Sequence, residues 1–165
     1  MDTQNEIIIG VISGILTSAI LFIAVNFFQN TVLPAIRQLV YKGVDVSGSW
    51  HWENHFATVA KLELKQSADR LVGAFTYVNT GNSIFKTFAV KGQIQDRFIQ
   101  LQLQSNDQQK LGVLSYVFEV VGDGSELRGC SSFYATNAHR IESERESFFR
   151  DAAIAKKLAH DKKIA

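Results

Sequence analysis

TVAKLELKQSADRLVGAFTYVN, residues 58 to 79, holds two runs of β-forming residues around a short polar break. The first run places Ala60, Leu62 and Leu64 on one face, with charged side chains between them. The break, SADR, has the composition of a tight turn, and the second run is rich in Val, Phe, Thr and Tyr. The stretch therefore predicts two antiparallel strands joined by a hairpin.

The same pattern repeats through most of the chain that follows residue 46. Polar breaks such as NTGN, QDR and GDGS separate the runs at hairpin spacing, which predicts an up-and-down antiparallel meander. Closing eight strands into a barrel removes both exposed edges, and a two-sheet sandwich is the alternative architecture. The predicted strands span residues 48–56, 58–66, 71–79, 83–95, 98–104, 112–121, 126–135 and 139–149.

The N-terminal region carries IIIGVISGILTSAILFIAVNFF, residues 7 to 28, without a charged side chain. A helix of this length covers the ~30 Å hydrocarbon core of a bilayer. The residues before it include Asp2 and Glu6 but no Lys or Arg, and no A-x-A cleavage pattern follows, so a retained transmembrane helix is favoured over a signal peptide. The predicted organisation is a transmembrane anchor at 1–29, a connector that could be an interfacial helix at 30–45, an eight-stranded barrel at 46–150 and a short C-terminal helical tail at 151–165.

Charges beside the apolar run predict its orientation. Arg37 and Lys42 lie just after it, and positive residues stay on the cytoplasmic side. We therefore expect a single-pass protein of the bacterial inner membrane, with a periplasmic N-terminus and a cytoplasmic barrel. The lone cysteine, Cys130, cannot form an intrachain disulfide, which fits a reducing compartment.

The barrel region lacks the marks of catalysis and of binding to DNA or long RNA. Residues 46–150 contain 11 Lys or Arg and 11 Asp or Glu, whereas a binder of long nucleic acid has a basic face. His51, His55, His139 and His160 show no metal-ligand spacing, and no phosphate-binding glycine loop is present. We expect no enzyme activity, no metal and no cofactor.

The last predicted strand, HRIESERESFF, carries acids at alternate positions. We expect Glu142, Glu144 and Glu146 to share a solvent-exposed face. Ile141 and Arg145 would then point into the barrel with Ser143. A buried Arg145 must be paired, either as a structural closure of the barrel or with a ligand anion.

SGSWHW, residues 47 to 52, resembles the G-x-W opening of lipocalin-like barrels, in which the Trp closes one end beneath a basic residue of the last strand. Trp50 with Arg145 or Arg140 would repeat that arrangement. With an N-terminal anchor and a barrel of about 105 residues, the layout resembles the membrane-anchored β-barrel effectors of CBASS, bacterial antiphage systems that signal with cyclic oligonucleotides. The resemblance implies that the barrel binds a cyclic dinucleotide, oligomerises and drives the anchor to disrupt the inner membrane. Those effectors have two N-terminal membrane helices, whereas here the second apolar run, TVLPAIRQLVY, is short and interrupted by Pro34 and Arg37.

Under that resemblance, the ligand site is expected at the end of the barrel far from the anchor. Turn residues meet there, and amides, hydroxyls and aromatic rings at a barrel mouth suit bases, while cations suit phosphates. The alternative is that Asn, Thr and Gly are simply what turns are made of. The expected ligand-binding residues are His55, Tyr77, Asn79, Thr80, Asn82, Lys110, Tyr134, His139, Arg140 and Arg145.

The anchor carries small residues four positions apart. Gly10, Gly14 and Ser18 would let two helix backbones approach closely, which fits homo-oligomerisation on activation, although small residues are common in membrane helices. A function of a different class remains open at this point. The chain could be a membrane-tethered, lipocalin-like carrier or scaffold for an apolar ligand or a protein partner.

Overall fold

The computed structural model describes residues 3–54, 58–105, 112–135 and 138–161, with backbone alone for residues 3–8, 37, 38 and 161. The chain divides into two compact units, residues 1–41 and residues 42–165. The first is helical, and the second contains all eight strands and a short C-terminal helix.

The helical unit holds one segment long and apolar enough to cross a membrane, Ile9–Ile36. Helix α1 spans Thr3–Phe27, a π-helical turn spans Phe28–Val32, and α2 spans Leu33–Val40. The π turn ends two residues before Pro34, which has no N–H to donate to the preceding turn. The N–H of Leu33, which follows the π turn, donates to the Phe28 carbonyl, and α2 carries the helix past the proline into the predicted connector.

The second unit is a closed antiparallel barrel in the order β1 to β8, which confirms the predicted fold class. Every strand pairs with the next along the chain, as expected for a meander with hairpin connections. A short helix, α3, follows at Ala152–Asp161. The strands span Gly48–Glu53, Thr58–Ser67, Arg70–Asn79, Ile84–Gln95, Phe98–Ser105, Val113–Val121, Glu126–Ala135 and Arg140–Phe149.

Aromatic side chains fill the middle of the barrel. Phe75 lies 5.9 Å from both Phe88 and Tyr116, measured between ring centroids. Tyr116 stacks on Phe118 at 5.0 Å, and Phe148 meets Phe118 edge to face at 5.5 Å. All five are buried, together with aliphatic residues from β2 to β7. The interior is therefore a packed core, as expected for a small eight-stranded barrel.

Inward-facing glycines allow neighbouring strands to come close. A Cβ added at Gly73 would lie 1.8 Å from the Glu63 carbonyl oxygen, and one at Gly129 would lie 1.9 Å from that of Val117. These are backbone atoms, so no side-chain movement would make room. The glycines therefore permit the sharp coiling that a closed barrel of this size requires.

One end of the barrel is closed by Arg150 and Trp50. The guanidinium lies 4.5 Å from the Trp50 ring and donates to the carbonyls of Asp45, Ser47 and Gly124 at 2.8–2.9 Å. The Trp50 indole N–H donates to the Val46 carbonyl at 3.0 Å. The predicted Trp–cation closure is present, but assigning it to Arg145 or Arg140 was wrong, because Arg150 at the end of β8 occupies that place.

The predicted phase of β8 was also wrong. Ile141 is 76% exposed, and Arg145 is exposed, whereas Phe148 is fully buried. Glu146, in phase with Phe148, accepts hydrogen bonds from the buried side chains of Tyr116 and Ser131. Glu142, Glu144 and Glu146 therefore belong to the inner face of the strand, and Ile141, Ser143 and Arg145 to the outer face.

Candidate functional site

The barrel closes through a narrow seam. β1 and β8 pair at His51 and Phe149 alone, although β1 has six residues and β8 has ten. Beyond that pair the two strands diverge, while β1 stays paired with β2 as far as Glu53 and the Asn54 N–H donates to the Thr58 carbonyl. The divergence leaves a gap in the barrel wall.

A cavity of about 570 Å³ occupies this gap, and we call it the seam cleft. Its volume lies within the usual range for small-molecule sites, ~300–1,000 Å³. Helix α3 packs across the gap through two small buried residues, Ala155 and Ala159, and contributes Leu158 to the wall. The cleft is lined by residues 52 and 53 of β1, residue 54 just after it, 126, 128 and 129 of β7, 145–147 and 149 of β8, and 155, 158 and 159 of α3.

Two arginines line the seam cleft, and only one of them forms an ion pair with the described part of the chain. Arg128 makes a bidentate pair with Glu126, at 2.9 and 3.1 Å. Arg145 makes no hydrogen bond or ion pair with the described part of the chain and is exposed. Its guanidinium is therefore available to an anion that enters the cleft.

Glu146 forms the polar inner wall of the seam cleft. The Ser131 hydroxyl donates to Oε1 at 3.1 Å, and the Tyr116 hydroxyl donates to Oε2 at 3.2 Å. Both donors belong to buried residues, so each carboxylate oxygen is held from the interior side. Burial raises the pKa of Glu146, only partly offset by these two hydrogen bonds, and burial followed by the Glu146 charge raises the pKa of Tyr116.

Aromatic rings complete the chemistry of the cleft. Trp52 lies in β1 in phase with Trp50, and Phe149 is the last residue of β8; both line the cleft and are half-buried. Carboxylates, a free guanidinium and aromatic surface together suit a polar ligand that carries both a planar ring and an anionic group.

Asn79, one of the amides predicted at the far end of the barrel, holds the turn between β3 and β4. Asn79 donates from Nδ2 to the Thr58 hydroxyl at 3.0 Å, and its Oδ1 accepts the Asn82 N–H at 3.1 Å. Thr80 is an exposed residue of the same turn. These contacts give the Asn79 side chain a role in forming the turn, which is the alternative weighed from sequence.

The other predicted ligand residues are dispersed. Tyr77 is half-buried in phase with Phe75, Tyr134 is 57% exposed, and His139 lies in an exposed turn with a φ of 51°. Arg140 pairs with Glu142 at 2.9 Å. Of the predicted set that the structure describes, Arg145 alone lines the seam cleft, and His55 and Lys110 lie outside the described residues.

Sequence reasoning missed Trp52, Glu146 and Phe149. For Glu146, the sequence signal that could have found it is which alternate residues of β8 face the barrel interior. Had Phe148 been taken as the core-facing residue, Glu146 would have followed as inward-facing, two positions earlier. The divergence of β1 from β8 has no sequence signal, because it depends on how the strands tilt when the barrel closes.

The predicted oligomerisation residues lie on an open helix surface. A Cβ added at Gly10 or Gly14 would meet no atom of the described chain within 4 Å. The Ser18 hydroxyl donates to the Gly14 carbonyl at 2.8 Å, so it is satisfied within the helix.

Within the residues that the structure describes, no cluster of His, Cys, Asp and Glu could hold a metal ion. Comparison of the chain with protein-family models, curated proteins and solved structures found no match.

Proposed function

We propose that this protein is a bacterial antiphage effector whose barrel binds a cyclic dinucleotide in the seam cleft. The observation that carries the proposal is that the unpaired Arg145, from the outer face of β8, lines one cavity together with the half-buried Glu146, Trp52 and Phe149. A cyclic dinucleotide presents phosphates, aromatic faces and base edges together, and each has a counterpart in this lining.

The alternative, a tethered carrier of an apolar ligand, is less well supported. Lipocalin-like carriers enclose their ligand inside the barrel, whereas this interior is filled by the aromatic cluster around Phe75 and Tyr116. The lining of the seam cleft includes Arg145, which has no ion-pair partner in the described part of the chain and which an apolar ligand would cover without pairing.

The proposed response is non-enzymatic and depends on the anchor. Ile9–Ile36 would span the bacterial inner membrane with the barrel in the cytoplasm, on the evidence of Arg37 and Lys42 after the apolar run. Ligand-bound barrels would associate and so gather the anchors. Close packing through Gly10, Gly14 and Ser18 would then disrupt the bilayer.

The ligand class is tested on the full chain in lipid nanodiscs, by its melting temperature with a panel of cyclic dinucleotides, a fatty acid and a retinoid. A ligand at ~100 times its Kd stabilises by about 2.7 kcal/mol, which raises the melting temperature by several degrees. We expect a cyclic dinucleotide to produce this shift and Arg145→Ala to weaken it.

Arg97→Ala is the matched control, because Arg97 is an exposed arginine outside the cleft whose partner, Glu119, is 3.7 Å away. It should leave the shift unchanged. A shift with the fatty acid or retinoid alone would instead support the carrier function.

A further inference from the structure

Glu146 presents a fixed hydrogen-bond acceptor to the seam cleft. Its two carboxylate oxygens are held at 3.1 and 3.2 Å by Ser131 and Tyr116, whose side chains approach from the barrel interior. Each carboxylate oxygen has two lone pairs, so one donor per oxygen leaves acceptor capacity on both. Gly129, the cross-strand partner of Glu146, adds no side chain above the carboxylate.

Two parallel acceptors on one planar group select for two adjacent N–H donors. Among the nucleobases, guanine carries adjacent N1–H and N2–H donors on its Watson–Crick edge, while adenine places the acceptor N1 beside its amino group. A carboxylate thus matches guanine at both positions and opposes adenine at one.

We propose that Glu146 selects a guanine base in the seam cleft, so that the ligand is a guanine-containing nucleotide. This inference rests on the proposed function and narrows it to a subset of cyclic dinucleotides. Trp52 supplies an aromatic surface for the base, and Arg145, the neighbour of Glu146, supplies the charge for a phosphate.

The other carboxylates of the cleft are less suited to this role. Glu126 is committed to Arg128 through both oxygens. Glu53, the last residue of β1, also lines the cleft, but no hydrogen bond or ion pair within the described part of the chain holds its carboxylate in place. Glu146 is the carboxylate that two buried donors orient before any ligand arrives, and a preoriented acceptor discriminates more sharply between bases.

The experiment measures the affinity of the full chain in nanodiscs for cyclic di-GMP, cyclic GMP-AMP, cyclic di-AMP and the linear nucleotides GMP and AMP. Wild type should prefer the guanine-containing member of each set by roughly 10-fold or more, the discrimination that a paired versus unpaired polar group gives. Glu146→Gln should lose most of that preference. Glu142→Gln, on the same strand face but outside the cleft, should keep it.

The outcomes separate the inference from the proposed function. If cyclic dinucleotides bind without a preference for guanine, the inference is overturned and the proposed function stands. The same holds if the preference for guanine survives Glu146→Gln. Guanine preference confined to GMP would support the inference and contradict a cyclic-dinucleotide sensor. No binding by any of the five would overturn both. Melting temperatures of the variants without ligand report whether each is folded.

Discussion

At the residue scale, Arg150 closes one end of the barrel through contacts with three separate parts of the chain. Its three hydrogen bonds reach backbone carbonyls of the segment before β1 and of the β6–β7 turn, and its face covers Trp50. It therefore joins parts of the chain about a hundred residues apart in sequence. A guanidinium is suited to this role because its donors lie in one rigid plane that can also stack on an indole.

We predict that Arg150→Met lowers the free energy of unfolding of the barrel by about 1–3 kcal/mol, because three charged hydrogen bonds and the cation–π contact are lost. Arg150→Lys should recover only part of the loss, since an ammonium cannot reach three carbonyls at once. Urea unfolding followed by Trp fluorescence measures both. Equal stability of Arg150→Met and wild type would show that the closure is dispensable.

The burial of Glu146 predicts that the stability of the barrel depends on pH. Because burial raises its folded-state pKa, the native protein holds this proton more tightly than the unfolded chain does. The protonated Glu146 therefore stabilises the fold fully at pH values below its pKa in the unfolded chain. This stabilisation is lost as the pH rises through its pKa in the folded protein, and stability does not change further with this group above that pH.

Glu146→Gln removes this titration and keeps the shape. We expect the stability of the variant relative to wild type to increase from about pH 4 towards neutral pH. The increase is at most ~1.4 kcal/mol for each unit by which the pKa of Glu146 in the folded protein exceeds its pKa in the unfolded chain. Melting temperatures of both proteins across pH 4–8 test this. Parallel curves would mean that Glu146 titrates as an exposed carboxyl does.

The inward-facing residues of β8 were predicted wrongly from the sequence for a physical reason. Phe148 and Phe149 are adjacent and both apolar, so either could face the core. Among the earlier positions the one apolar residue, Ile141, is in phase with Phe149 and so favours the wrong face. The choice is made by Tyr116 and Ser131, whose hydroxyls accommodate an inward carboxylate from neighbouring strands. Such a cross-strand match cannot be found within β8 alone.

At the element scale, the strands are much more predictable than the site. Their period of two and the turns between them gave eight strands in meander order, with most ends within one or two residues of those observed. Local chemistry sets these boundaries. The divergence of β1 from β8, and the position of α3 across it, depend on how the whole sheet closes, and no local pattern encodes them.

Gly73 tests the requirement for close strand approach. We predict that Gly73→Ala destabilises the barrel by ~3 kcal/mol or more, because the new methyl would overlap the Glu63 carbonyl and neither backbone can move alone. Gly81→Ala in the β3–β4 turn, where the nearest atom is a side-chain oxygen at 3.3 Å, should cost far less. Denaturant midpoints compare the two, and similar losses would contradict the account of barrel curvature.

The anchor helix is tested by Gly14→Leu. The substitution meets no atom of the described chain within 4 Å of its Cβ, so the helix should still form and insert. If anchors associate through their small residues, the bulkier side chain separates them, and cross-linking in membranes and inner-membrane leakage should both fall. Ile20→Leu, a change of similar hydrophobicity away from that motif, is the control. Leakage by Gly14→Leu at the wild-type level would exclude this face from the response.

At the scale of the whole molecule, the chain combines a membrane-spanning candidate helix with a barrel whose wall is incompletely paired. The interior is packed, and the seam cleft, bounded by β1, β7, β8 and α3, is a place where the described barrel can admit a ligand. A ligand there would contact both sides of the weakest joint in the wall. Binding would therefore change the order of that joint more than that of the rest of the barrel.

Hydrogen–deuterium exchange of the full chain in nanodiscs, with and without saturating cyclic dinucleotide, tests this central claim most directly. We predict slower exchange in residues 48–54, in 140–149 and in α3, with the β3–β4 turn around residues 79–83 unchanged. Protection confined to that turn and to residues 138–140 would instead place the ligand at the far end of the barrel. That result, or no protection anywhere, would contradict the assignment of the seam cleft as the ligand site.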